Sequence, residues 1–148
     1  VTTIVEMLDG LKLPMKRIFV KPGGTGALDY DSVDVVLDTF PFSGAVEAAE
    51  ALLHGVPVVT LCGETHTARR SASVLAAAGQ MQWIAADARA YERISCALAE
   101  DVAALRTRRA ALRDAVLASP LTDLAAYTAS VAEALDSYWD AHGAKVNQ

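Results

Sequence analysis

The chain reads as an α/β protein: a Rossmann-like parallel sheet flanked by helices, followed by two long C-terminal helices. Three observations predict this. Short, nearly continuous apolar runs occur at Val33–Leu37 and Val56–Leu61, as expected for parallel strands covered on both faces. Segments of helical period separate the runs, and each ends at a glycine, Gly55 or Gly79. After Ala85 nothing strand-like follows, only long helical patterns broken at Ser119-Pro120.

Taken in order, Thr2–Leu11 can form a short helix with Ile4, Val5, Leu8 and Leu11 on one stripe, limited by Gly10 and Pro14. Arg17–Lys21 reads as a first strand, stopped by the breaker run Pro22-Gly23-Gly24-Thr25-Gly26. Val33–Leu37 is the second strand. A helix is expected from Ala45 to His54, with Val46, Ala49, Leu52 and Leu53 inward. Val56–Leu61 is the third strand; Pro57 lacks an amide hydrogen and fits only near its start. A helix over His66–Ala78 leads to a short fourth strand, Gln82–Ala85. One helix is expected from Asp87, a capping residue, to Ala118. The last runs from Thr122 to His142, with Leu124, Tyr127, Val131, Leu135, Tyr138 and Trp139 as its stripe. Residues 1–118 are thus expected to form the Rossmann-like domain, and residues 119–148 a helical extension packed on it or on another part of the polypeptide.

Composition narrows the function. A chain of 148 residues suits one core that buries roughly two-thirds of its unfolded surface. The apolar fraction is 53% and the mean hydropathy +0.26, but no apolar run reaches the ~18 to 20 residues of a membrane span. A soluble, cytoplasmic protein is expected. The net charge of −5 excludes a broad nucleic-acid surface, which wants clustered cations. Arg106, Arg108, Arg109 and Arg113 form the one basic cluster and read as a solvated helix face. Cys62 and Cys96 lack metal-ligand spacing and read as two buried thiols in a reducing compartment. Val1 in place of an initiator Met leads to the expectation of a fragment of a longer polypeptide.

In a parallel α/β unit, the loop after a strand's carboxyl end and the first turn of the next helix face the ligand crevice. Ser43-Gly44-Ala45 occupies that place. Free amides there favour an anion, and Gly44 allows close approach. Glu50 lies in the same helix, where its carboxylate could accept from a pair of ribose hydroxyls. By residue type alone, a plain turn and an ordinary surface glutamate remain open alternatives. Arg69 could neutralise a phosphate or pair with Glu64, and His66 could donate to a ligand or cap a helix.

The run from Leu37 to Gly79 resembles the nucleotide-sugar-binding half of the O-linked N-acetylglucosamine transferase family, SPINDLY-like members included. The resemblance rests on Leu37-Asp38-Thr39, Pro41, Gly44, Glu50, Leu52, the run Gly55 to Leu61, then Gly63, His66, Arg69, Ser73 and Leu75. It continues through Ala118-Ser119-Pro120-Leu121 and Tyr138-Trp139, covering residues 17 to 140. It implies the C-terminal half of a GT-B glycosyltransferase, with the active site in the cleft against an N-terminal Rossmann half. It also implies UDP-N-acetylglucosamine as donor, transfer with inversion to a protein Ser or Thr, and no required metal or cofactor. The residues it points to for the donor are Ser43, Gly44, Ala45, Val46, Glu50, Lys21 and Arg69. No catalytic residue is assigned.

The chain departs from the family pattern after Gly44. Relatives place a His or Thr and further hydroxyl residues there, whereas this chain has Ala45, Val46 and Glu47. Glu47 puts a negative charge in the first turn, which opposes a diphosphate. A non-catalytic domain kept for interaction or architecture is therefore the rival expectation. A flavodoxin-like regulator is a weaker one, without a matching signature.

Overall fold

The computed structural model describes residues 14–19 and 29–143, together with Glu6. The expected helix Thr2–Leu11 and the loop at Pro22–Gly26 lie outside the described residues, Glu6 aside. So does Lys21.

Three short strands form one parallel sheet in the order β1-β2-β3: β1 is Val36–Leu37, β2 Val58–Leu61 and β3 Ile84–Ala85. Val36 pairs with Val58, Leu37 with Val59, Thr60 with Ile84 and Leu61 with Ala85. The expected strand at 17–21 is not seen in its described part, where Met15–Arg17 forms a 3-10 turn. The apolar run 33–37 forms ladder bonds only at its end; its first residue, Val33, is held instead by its N–H to Tyr30 O and by Arg109 at its carbonyl. Pro57 stands just before β2 and contributes its carbonyl to Val36 N–H at 2.9 Å, the one ladder role open to it.

Helix α1, Ala45–Leu53, links β1 to β2, and α2, Arg70–Ala77, links β2 to β3. They pack on each other and on β2. Ala48, Ala51 and Leu52 of α1, Val56 and Val58, Leu75 and Ala78, and Val116 form the buried core with Tyr30. Small residues at the α1–α2 contact let the helices approach closely, which is what the alanine-rich composition provides. Gly55 ends α1 with φ +71, and a side chain there would strike the Arg109 backbone. Only glycine meets both demands.

Two helix boundaries differ from the sequence expectation. The helix expected from His66 begins only at Arg70; residues 66–69 form turns that return Ala68 O to Gly63 N–H at 3.1 Å. The single helix expected over Asp87–Ala118 is two, α3 Ala88–Glu100 and α4 Val102–Leu117. Asp101 leaves helical geometry (φ −132, ψ 68) and caps α4 by accepting from Ala104 N–H at 2.9 Å. An aspartate inside an apolar periodicity competes for the backbone in this way. Asp87 does cap α3, accepting from Ala90 N–H at 2.7 Å. Helix α3 packs on β2 and β3, and α4 on α1.

The last helix, α5 at Leu124–His142, is capped by Asp123. Its stripe is bare: Leu124 is 77% exposed, Tyr127 70% and Trp139 68%. Cys62 and Cys96 are both exposed free thiols, which corrects the expectation of buried ones. Cys62 follows the last residue of β2, beyond the covered part of the strand. Among the described residues, no helix is long and apolar enough to cross a membrane.

Candidate functional site

The turn between β1 and α1 is built by Asp38, Ser43 and Arg70. Asp38 leaves β1 with its carboxylate directed at the turn: Oδ1 accepts from Gly44 N–H at 3.0 Å and Oδ2 from the Thr60 hydroxyl at 2.7 Å. The Tyr91 hydroxyl donates to the Asp38 main-chain oxygen at 2.9 Å. Burial, and then the negative charge of Asp38, raise the Tyr91 pKa. Thr39 closes the turn with a 2.6 Å bond to Phe42 O.

Ser43 is 1% exposed and fully committed. Its hydroxyl donates to Thr67 O at 2.9 Å and accepts from the N–H groups of Arg70 and Ser71 at 3.0 and 3.3 Å. It thus serves the amino end of α2. Arg70 returns the contact, donating from Nη2 to Ser43 O at 2.7 Å, with its guanidinium 4.5 Å over the Phe42 ring. Sequence reasoning singled out Arg69; the arginine that meets the turn is its neighbour. Arg69 is exposed and precedes α2, and His66 is exposed too. The ion pairs among the described residues are Arg106–Asp34 and Arg109–Asp31, so Arg69 does not pair with Glu64.

Gly44, Ala45 and Val46 stand at the entry to α1; Val46, expected inward, is 67% exposed, because it lies on the side of the helix away from β2 and α2. The first helical bond runs from Ala48 N–H to Gly44 O at 2.9 Å. The amides of Ala45, Val46 and Glu47 precede it and have no partner within the helix. The Glu47 carboxylate folds back over Gly44: an added Cβ there would lie 2.7 Å from its Oε2.

Glu50 is exposed on α1 and meets Tyr30, the first residue of a 3-10 turn over Tyr30–Ser32, which sequence reasoning passed over. The Tyr30 hydroxyl donates between Glu50 Oε2 and Glu47 O, each at 3.3 Å. Its ring is buried and stacks on His54, centroids 5.1 Å apart. Burial raises the Tyr30 pKa, with the Glu50 charge and the bond to it adding to the shift. His54, expected at the helix end, is the C-cap residue.

Arg109 was expected on a solvated face. It instead turns inward and donates to the main-chain oxygens of Tyr30, at 2.8 Å, and Val33. The signal that could have found it is the run of unpaired carbonyls that must enter β1. Arg106 does remain at the surface, in a two-pronged bond to Asp34.

A cavity of about 490 Å³ opens at the carboxyl ends of the strands, between Phe40, Pro41, Leu61, Cys62, Thr65 and Asp87 among others. None of the described residues singled out for the donor lines it. Among the described residues, no group of three or more His, Cys, Asp or Glu is placed to hold a metal ion.

A parallel sheet flanked by helices, with a glycine turn leading from its first strand to α1, defines a Rossmann-like α/β domain. The family model for glycosyl transferase family 41 matches residues 27–131, and the chain belongs to that family. Probable UDP-N-acetylglucosamine–peptide N-acetylglucosaminyltransferases named SPINDLY, from Hordeum vulgare and Arabidopsis thaliana, are each 34% identical over 110 residues. Those matches cover 74% of this chain and 12% of each relative. A mutant of the O-GlcNAc transferase of Thermobaculum terrenum is similar in structure, with TM-score 0.67, 34% identity, and coverage of 74% of this chain and 21% of that one. The chain corresponds to the C-terminal portion of these GT-B enzymes and spans about an eighth of the curated relatives.

Proposed function

We propose that the chain is the donor-binding domain of a protein glycosyltransferase that uses UDP-N-acetylglucosamine, and that it needs an N-terminal Rossmann half to act on a protein acceptor. One observation carries the reading: in a family 41 domain, the open amides of Ala45 and Val46 stand at the carboxyl end of β1, with the exposed Glu50 carboxylate farther along the same helix. Amides at a helix start suit the diphosphate, and a carboxylate accepts from two ribose hydroxyls. Gly44 forms the entry to α1, and the buried Ser43 holds the turn in shape. Arg69 and Lys21 supply cations. The Rossmann-like unit is residues 1–118; residues 119–148 form an extension whose bare α5 stripe packs against the N-terminal half. Two exposed thiols fit a reducing, cytoplasmic setting.

The test is titration of the chain with UDP and UDP-N-acetylglucosamine, following backbone amide shifts. Residues 43–50 should move first and saturably. Silence at that segment at millimolar ligand overturns the reading. One observation favours a second reading, a domain that has lost transfer chemistry and keeps an interaction or architectural role: Glu47 stands where the family pattern has a hydroxyl, with its carboxylate over Gly44. Replacing Ala45 and Val46 by threonine should then strengthen binding of UDP.

A further inference from the structure

Helix α4 has two edges with different neighbours. On one, Arg106 pairs with Asp34, and Arg109 donates to the main-chain oxygens of Tyr30 and Val33. On the other, Leu105, Arg108, Leu112 and Ala115 recur at helical spacing and so share one stripe. That stripe borders a cavity of about 450 Å³, which also meets Leu98 of α3, Pro57 just before β2 and Trp83 just before β3. The cavity thus lies at the amino ends of the strands. The α1 notch stands at the other end of the sheet, after β1.

Three side chains of the lining are polar. Gln82 donates to Gln80 Oε1 at 2.8 Å and Gln80 donates to Ala78 O at 3.2 Å, so the two amides are tied to each other and to the backbone. Arg108 is free. It is exposed, and its guanidinium takes part in no ion pair among the described residues, whose pairs are those of Arg106 and Arg109. It is also the one ionisable side chain among the described residues of the lining. The walls are firm, since Trp83 and Leu112 pack against the core on their inner sides. Both remain half-buried, as do Leu98 and Leu105, and leave apolar surface open to the cavity.

We propose that this cavity binds a small aromatic carboxylate, its ring seated against Trp83 and the leucines and its carboxylate on Arg108. The volume lies within the range of small-molecule sites. A guanidinium offers a planar pair of donors that matches a carboxylate, and no acid in the described lining opposes the anion. A bare inorganic anion is disfavoured, because the apolar walls would strip its water without replacing it. The site is independent of the donor reading, which a titration with UDP decides separately.

The experiment titrates the chain with naphthoate, with naphthylmethanol as its neutral counterpart, following backbone amides and the Trp83 indole N–H. Naphthoate should shift residues 80–83 and 105–115 saturably, with a Kd of about 0.1–1 mM. The alcohol should bind about fivefold more weakly, the size of one solvent-exposed ion pair. Arg108→Met keeps the apolar stem and removes the charge; it should weaken naphthoate about fivefold and leave the alcohol unchanged. Arg113→Met, on the same helix but outside the lining, should change neither. The same amide spectra show that each variant is folded. Equal affinity for the acid and the alcohol overturns the proposal, as does an equal loss from Arg113→Met, which would assign the effect to bulk charge. So does the absence of a saturable shift, or a shift at residues 43–50 in place of 80–83.

Discussion

The Thr60 hydroxyl donates a 2.7 Å hydrogen bond to Oδ2 of Asp38, so the second residue from the end of β2 holds the residue that follows β1. Through its other oxygen Asp38 fixes Gly44. The start of α1 is therefore positioned by a side chain six residues earlier. Thr60→Val keeps the shape and leaves Oδ2 without its partner. About 1–2 kcal/mol should be lost in urea unfolding, the cost of an unmet acceptor in a partly buried place.

Ser43→Ala should cost at least as much, about 1–3 kcal/mol, because one hydroxyl serves Thr67 O and two amides at the start of α2. Calorimetry would measure it. A loss of UDP binding with unchanged stability would contradict the purely positioning role given to this serine.

Gly55 and Gly79 have the same φ, +71 and +72. A Cβ at Gly55 would run into the backbone and side chain of Arg109, whereas nothing lies within 4 Å of one at Gly79. Gly79→Ala should cost only the left-handed conformation, about 1 kcal/mol. Gly55→Ala should cost clearly more, because α4 must shift. Comparing the two unfolding midpoints separates strain from collision.

The two tyrosine and aspartate shifts give opposite pH signs. The Arg106 guanidinium beside Asp34 lowers its pKa, by hydrogen bonding first, so this contribution is present above the unfolded value and fades as pH falls through the folded one. Asp34→Asn should thus differ from the parent near neutrality and converge with it in acid. Tyr30 is raised, by burial first, so its contribution is present below about pH 10 and is lost as pH rises through the folded value. Tyr30→Phe should lose stability less steeply than the parent above pH 10. Stability curves against pH would show both.

On α5, Leu135→Ser together with Trp139→Ser should change the stability of the chain by no more than about 0.5 kcal/mol per site, because both side chains are about two-thirds exposed. A large loss by urea titration would show that the stripe is covered within this chain.

Much of the fold is legible in the residues. Asp87 and Gly55 mark helix ends by rules that involve only their neighbours, and the run Val56–Leu61 is apolar on both faces because both are covered. The turn at Gly44 was legible as the candidate site for the same reason. Asp101 was not legible as a break, since its capping competes with a periodicity that continues on either side. Nor was Tyr30, which opens a 3-10 turn over Tyr30–Ser32 and gains its place from His54 and Glu50 on α1 and from Arg109 on α4.

The sequence by itself determined the parallel α/β class, the alternation of β1, α1, β2, α2 and β3, the kinship with family 41 and the position of the α1 notch. These depend on periodicity and on residues close in the chain. Only the tertiary structure decided that Arg70 rather than Arg69 meets the turn, that Ser43 is spent on α2, that both thiols face outward and that the Asp38 carboxylate takes the Gly44 N–H. Those outcomes depend on which side chains packing brings together across 27 residues, as for Ser43 and Arg70, or 79, as for Tyr30 and Arg109. A hydrogen bond across that span forms only after the core has chosen the approach of the helices, and no local pattern carries that choice.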